Sequence, residues 1–125
     1  MSRYVLDTSV LIDVLRGSRD AADWLTGLDE VPVCSEITRT EVLRGVRSAE
    51  RAPTERLLGA MQWLPVDEGV SRRAGDLGRK YRRSHTGLAI ADLLIAATTL
   101  ELDAKLATAN TKHFPMFSRL RAPYG

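Results

Sequence analysis

Short apolar bursts recur along this chain with helix-like segments between them, and no other feature constrains its fold as much. The bursts fall at residues 4–6, 31–34, 64–66 and 106–108. Strands that alternate with helices predict an α/β fold, a parallel sheet whose strands are joined by crossover helices. Between the first two bursts, Leu11, Leu15, Ala22 and Leu25 predict two helices broken near Gly17 and Ser18. Pro32 stands at a strand start, where its missing donor is tolerated. A helix over 35–46 follows, and Pro53 opens another over 54–63, because proline suits a first helical turn. Pro65 marks a short edge strand.

From residue 68 to 83 the apolar positions Val70, Ala74, Leu77 and Tyr81 fall at spacings of four, three and four, while Arg72, Arg73, Arg79, Lys80 and Arg83 occupy the other faces. The spacing predicts an amphipathic basic helix. Ser84, His85, Thr86 and Gly87 form the clearest break, which separates this helix from the next rather than one domain from another. The 125 residues, 1–125, read as a single domain. A chain of this size buries roughly two-thirds of its unfolded surface, so neither metal nor disulfide is needed simply to fold it. Cys34, the one cysteine, lies in a buried strand and excludes an internal disulfide or a cysteine-rich zinc site. Arg3, Asp7 and Asp13 interrupt the apolar residues of the N-terminus. No stretch approaches the roughly 20 uninterrupted apolar residues of a membrane span, so a soluble, cytoplasmic protein is expected.

The net charge of +2 conceals an asymmetry. Residues 1–67 carry 8 basic and 11 acidic side chains, net −3, and residues 68–125 carry 10 basic and 5 acidic, net +5. A basic half beside an acidic cluster suits a protein that attracts phosphate and also holds cations, although a solvated arginine-rich surface gives the same counts.

Four polar positions stand out against this framework. Asp7 follows the first burst and precedes Thr8 and Ser9, at the carboxyl end of a strand, where open α/β sheets bind ligands. A helix cap is the competing role for Asp7 or Ser9. Asp92 is the lone polar side chain in the segment 88–97. If that segment is one helix, a carboxylate there must be paired, protonated or coordinated to a cation; if the helix begins at Leu93, Asp92 is its cap. Glu41 falls on neither a clear core face nor a clear solvent face of its helix, with Gly45 one turn on leaving room beside it. Asn110, after the fourth burst, either caps a short helix or joins a site with Asp7, Glu41 and Asp92.

Taken in order, Val5-Leu6-Asp7-Thr8-Ser9, Thr38-Arg39-Thr40-Glu41-Val42-Leu43-Arg44-Gly45, Ile90-Ala91-Asp92-Leu93-Leu94-Ile95-Ala96-Ala97 and Thr108-Ala109-Asn110-Thr111-Lys112-His113-Phe114 resemble the PIN-domain ribonucleases, in particular the VapC-type toxins of bacterial toxin-antitoxin pairs. The resemblance implies a Rossmann-like sandwich with a four- or five-stranded parallel sheet. It also implies that Asp7, Glu41 and Asp92 hold Mg2+ or Mn2+ and act on RNA. Carboxylates without histidine or cysteine companions independently favour such a hard cation over zinc. A cation of this kind activates water for attack on a phosphodiester and neutralises charge at the attacking and leaving oxygens. Thr8, Ser9, Thr108 and Asn110 are then expected to orient the carboxylates. Arg79, Lys80, Arg82, Arg83 and Lys112 are expected to steer RNA phosphates. A small antitoxin partner and a homodimer are further implications of the resemblance.

The family carries an additional acid where this chain has Asn110 and His113, which limits the expected site to three carboxylates. A two-histidine, metal-free mechanism through His85 and His113 leaves Asp92 unexplained. A phosphoaspartyl phosphatase wants an acid where Ser9 stands, and no glycine-rich phosphate loop occurs. The rival from another class is a PIN-like module that binds RNA or protein without cutting, its site weakened at Asn110.

Overall fold

A computed structural model describes residues 3–85 and 87–125. Thr86, part of the expected break, and Met1 and Ser2 lie outside the described residues. The elements in order are β1 (Tyr4–Leu6), α1 (Thr8–Leu15), α2 (Arg19–Thr26), β2 (Val33–Ser35), α3 (Glu36–Arg44), α4 (Arg51–Gly59), β3 (Gln62–Leu64), α5 (Glu68–Tyr81), α6 (Ile90–Glu101) and β4 (Lys105–Ala107), with single 3-10 turns at Ser48–Glu50 and Thr111–His113. The four strands form one parallel sheet in the order β3-β2-β1-β4. The expected α/β class holds, with four strands.

Alternation along each strand builds the two layers. Leu6, Cys34 and Ala107 face one side of the sheet and pack with Val10, Leu11, Val42 and Leu58 from α1, α3 and α4. Val5, Val33 and Leu106 face the other side, against Ile95 and Ala96 of α6 and Phe114. Neighbouring residues in a strand point to opposite faces, so an apolar run of three is what a sheet covered on both sides requires. Val70 and Ala74 then press α5 onto Leu93 and Ala97 of α6. Cys34 is fully buried, and burial pushes its thiol up to about 12, which makes it a small apolar core residue.

The chain runs β1, β2, β3 to one side and then returns to place β4 on the free edge of β1. The crevice at that reversal, beyond the carboxyl ends of β1 and β4, is where folds of this kind admit ligands.

Local signals explain most boundaries. Gly17 takes φ +88 between α1 and α2, and the Ser18 hydroxyl accepts from the Ala21 N–H at 3.2 Å to start α2. Ser35 caps α3 through the Ile37 N–H, and Asp67 caps α5 through the Val70 N–H at 2.9 Å. Two boundaries need correction, and one open alternative is decided. The third strand is Gln62–Leu64 rather than 64–66, because the Gln62 N–H donates to the Pro32 carbonyl at 3.0 Å and pairs this stretch with β2. Pro65 therefore follows the edge strand. The same pairing ends the preceding helix at Gly59 instead of Trp63, whose indole N–H donates to the Leu58 carbonyl at 2.8 Å. The last long helix begins at Ile90, with Ala89 as its cap position, so Asp92 lies inside the first turn and is not the cap.

Two glycines make opposite predictions. Gly17 needs a left-handed backbone, so Gly17→Ala is expected to cost about 1 kcal/mol. Gly75 lies within α5, and nothing stands within 4 Å of an added Cβ. Gly75→Ala is expected to stabilise by up to about 1 kcal/mol. Urea unfolding midpoints of the two variants should move in opposite directions.

Candidate active site

Asp7 follows β1 directly and occupies the cap position of α1, yet its side chain makes no capping bond. Its backbone N–H continues the sheet by donating to the Ala107 carbonyl at 2.8 Å. The carboxylate, in a residue only 3% exposed, accepts from the Ser9 hydroxyl at 2.7 Å and from the Thr108 hydroxyl at 2.7 Å. Both bonds meet Oδ2, so the lone pairs of Oδ1 are left unused by these donors. Ser9 in turn accepts the Ala109 N–H at 3.1 Å, and Thr108 accepts the Asn110 N–H at 2.9 Å. This hydroxyl network spans the crevice between β1 and β4 and fixes the orientation of Asp7.

Glu41 reaches the same place from α3. Thr8, the first residue of α1, donates to Glu41 Oε1 at 2.6 Å and also contacts the Thr38 hydroxyl at 3.0 Å. Asp92 arrives from the first turn of α6, where the helix dipole favours a negative charge. His113 Nδ1 stands 3.3 Å from Asp92 Oδ2. The Asp92 carboxyl is raised to about 6, chiefly by burial and then by the charge on Asp7, with His113 opposing and Glu41 adding a smaller upward push. Asp7 and Glu41 are thus near enough to oppose the ionisation of Asp92.

The cleft they line has a volume of about 450 Å³ and is bounded by Asp7, Thr8, Ser9, Ile12, Asp13, Arg16, Glu41, Ala89, Asp92, Ala109, Asn110 and His113. Every sequence-predicted member of the acidic cluster therefore lines one space, with Thr108 bonded to Asp7 beside it. Asn110 occupies the cap position of the last 3-10 turn without capping it by its side chain. Arg79, Lys80, Arg82, Arg83 and Lys112 are exposed and are not among the lining residues. Sequence reasoning missed Asp13 and Arg16. Once α1 is known to start at Thr8, Ser9, Asp13 and Arg16 fall at four- and three-residue steps on one helix face, so the signal was present. Asp13 also brings a further carboxylate to the wall of the cleft, where the Tyr124 hydroxyl bonds it.

The donors are mainly oxygens, from carboxylates and an amide with His113 as the one imidazole, and this oxygen-rich set fits a hard divalent cation better than zinc. Among the described residues, no group of three or more His, Cys, Asp or Glu side chains is already drawn together closely enough to hold an ion.

Burying Asp92 beside Asp7 has a measurable cost. Asp92 is harder to ionise in the folded chain than in the unfolded one, so its ionisation weakens folding as pH rises from about 4 to about 6. Asp92→Asn removes this penalty. In chelator, the variant is expected to be more stable than the parent by about 1 kcal/mol at pH 7 and no more stable at pH 4, read by thermal melts at both pH values.

The sequence pattern of the PIN domain matches residues 4–121. Ribonuclease VapC19 of Mycobacterium tuberculosis is 44% identical over 123 residues, covering 96% of this chain and 98% of that protein. Ribonuclease VapC10 of the same organism is 43% identical over 122 residues, covering 96% and 92%. A toxin-antitoxin complex from Klebsiella pneumoniae contains a chain that superposes with a TM-score of 0.83 at 27% identity, covering 97% of this chain and 98% of that one. The pattern, the two relatives and the superposition agree with the observed fold, and this chain belongs to the PIN-domain family, among its VapC-type members.

Proposed function

We propose that this protein is a metal-dependent endoribonuclease and the toxin of a toxin-antitoxin pair. The observation that carries this reading is Asp7: a buried carboxylate held by two hydroxyls, excused from capping its helix, and gathered with Glu41 and Asp92 in one cleft. A structural acid has no need of such neighbours, since Asp7 and Glu41 raise the cost of keeping Asp92 ionised. The two curated relatives are ribonucleases, which supports RNA as the substrate.

Asp7, Glu41 and Asp92 would hold Mg2+ or Mn2+, with Asn110 able to offer an amide oxygen. When bound, the ion supplies charge neutralisation and water activation for phosphodiester hydrolysis. The residues of the chain orient the reaction around it. Ser9 and Thr108 fix the Asp7 carboxylate, Thr8 fixes Glu41, and the first turn of α6 presents Asp92. Arg79, Lys80, Arg82, Arg83 and Lys112 remain the proposed outer track for the RNA backbone, drawing a polyanion toward the domain over longer range. Structured RNA such as tRNA or rRNA is the proposed target, with loss of translation and growth as the consequence.

An antitoxin partner, a homodimer and a cytoplasmic location complete the reading. The Klebsiella pneumoniae neighbour is part of a toxin-antitoxin complex, which supports the first of these. An apolar groove of about 250 Å³, lined by Leu15, Val42, Val46 and Pro53, adjoins the acidic cleft and shares Ile12 and Arg16 with it. Such a partner could bury apolar side chains there while masking the carboxylates. No helix of the described residues is long and apolar enough to cross a membrane.

The replacement of the family's further acid by Asn110 and His113 favours a second reading, a PIN module that binds RNA without cutting it. One experiment separates the two. Purified protein is incubated with structured cellular RNA and Mg2+ or Mn2+, beside an Asp7→Asn variant and a chelator control, and the ends are mapped. Discrete cleavage that falls at least about 100-fold with the variant, and stops with chelator, is expected of the enzyme. Cleavage that survives both overturns the metal site. RNA binding without cleavage transfers the assignment to the binding module.

A further inference from the structure

Arg16 is the only permanent cation among the described residues that line the acidic cleft. It ends α1, is exposed, and has no ion pair among the described residues. Some surface arginines with a carboxylate one turn back do pair with it. Arg39 pairs with Glu36 at 2.6 Å, three residues back, and Arg72 pairs with Glu68 at 2.8 Å, four residues back. Asp13 stands three residues before Arg16, the same spacing as Glu36 and Arg39, and it lines the same cleft. Its Oδ2 is instead occupied by the Tyr124 hydroxyl, which donates at 2.8 Å. Tyr124 is seated against Trp24, with centroids 6.3 Å apart, and Trp24 meets Tyr4 edge-on at 5.2 Å. Burial and the Asp13 carboxylate both hold the Tyr124 phenol in its protonated, donating form.

We infer that Arg16 binds a backbone phosphate of the RNA within the cleft, and that Tyr124 is a positioning residue that keeps Arg16 available by occupying Asp13. The inference rests on the ribonuclease reading above. A phosphate that enters a cleft lined by Asp7, Asp13, Glu41 and Asp92 meets like charge on several sides, and a fixed cation on the wall adds at short range to the neutralisation a bound divalent ion would supply. The guanidinium fork meets two phosphate oxygens at once and cannot be deprotonated, which suits this place better than a lysine would. An Asp13–Arg16 pair would cancel that charge.

The test is a fluorescence-anisotropy titration of a labelled RNA hairpin with the full chain in Ca2+, across a range of KCl concentrations. Arg16→Ala is expected to weaken binding about 10-fold and to lower the slope of log affinity against log salt by about one. Arg16→Lys should restore the slope but only part of the affinity. Tyr124→Phe should weaken binding about 3-fold in the parent and not at all in the Arg16→Ala background. Adding Asp13→Asn to Tyr124→Phe should restore the loss, since a neutral side chain cannot pair with Arg16. Unchanged affinity and slope for Arg16→Ala overturn the phosphate role. A Tyr124 effect that persists without Arg16, or that resists rescue by Asp13→Asn, overturns the positioning role. If the parent binds and cuts RNA while Arg16→Ala matches it, this inference alone fails; if the parent does neither, the ribonuclease reading fails with it.

Discussion

The hydrogen bond from Thr108 to Asp7 joins the first strand of the sheet to the last, and the remainder of the site depends on it. A carboxylate buried without partners costs several kcal/mol. Here Ser9 and Thr108 satisfy it, and their own oxygens accept the backbone N–H groups of Ala109 and Asn110. The polar residues after β4 thus have their donors committed to the same network that orients Asp7. Had β4 been added at the far edge, beside β3, no hydroxyl from its end would reach Asp7. The return of the chain to the free edge of β1 is what turns an ordinary strand end into a site.

Around that bond the domain concentrates charge that opposes folding. Asp92 is held above its ordinary ionisation range by burial and by Asp7, and Glu41 adds to the effect. The strain is confined to the carboxyl ends of the strands because the packing on both faces of the sheet is built on apolar residues: Leu6, Val10 and Leu11 on one side, Val5, Val33 and Ile95 on the other. Helix geometry softens it further. Asp7 and Asp92 stand at the starts of α1 and α6, where exposed N–H groups present partial positive charge.

Strand alternation, helix periodicity and capping residues made the element order legible, because each is a local property of the sequence. Ser18, Ser35 and Asp67 cap the helices they precede, and Gly17 turns where its φ requires glycine. Misplaced boundaries arose where a distant partner decides. Nothing within residues 54–66 announces that Gln62 pairs with Pro32, so α4 looked too long and β3 was set two residues late. The acids followed the same division. Asp7 and Asp92 stood out by their isolation among apolar neighbours, whereas Asp13 and Arg16 resembled any solvated helix face. Their membership of the cleft follows from the direction in which α1 leaves β1, which is a tertiary fact. The aromatic seat of Tyr124 was invisible for the same reason, since 111 residues separate it from Asp13.

Cys34 gives the domain a further chemical property. The single thiol is enclosed by the sheet and α-helical layer, and its pKa is raised to about 12, so almost no thiolate exists under ordinary conditions. Thiolate is the reactive form in oxidation and alkylation. The folded domain therefore offers no reactive thiol of its own, and a cysteine introduced at any exposed position would be its one reactive thiol, a ready-made anchor for one thiol-directed dye, spin label or crosslinker per chain.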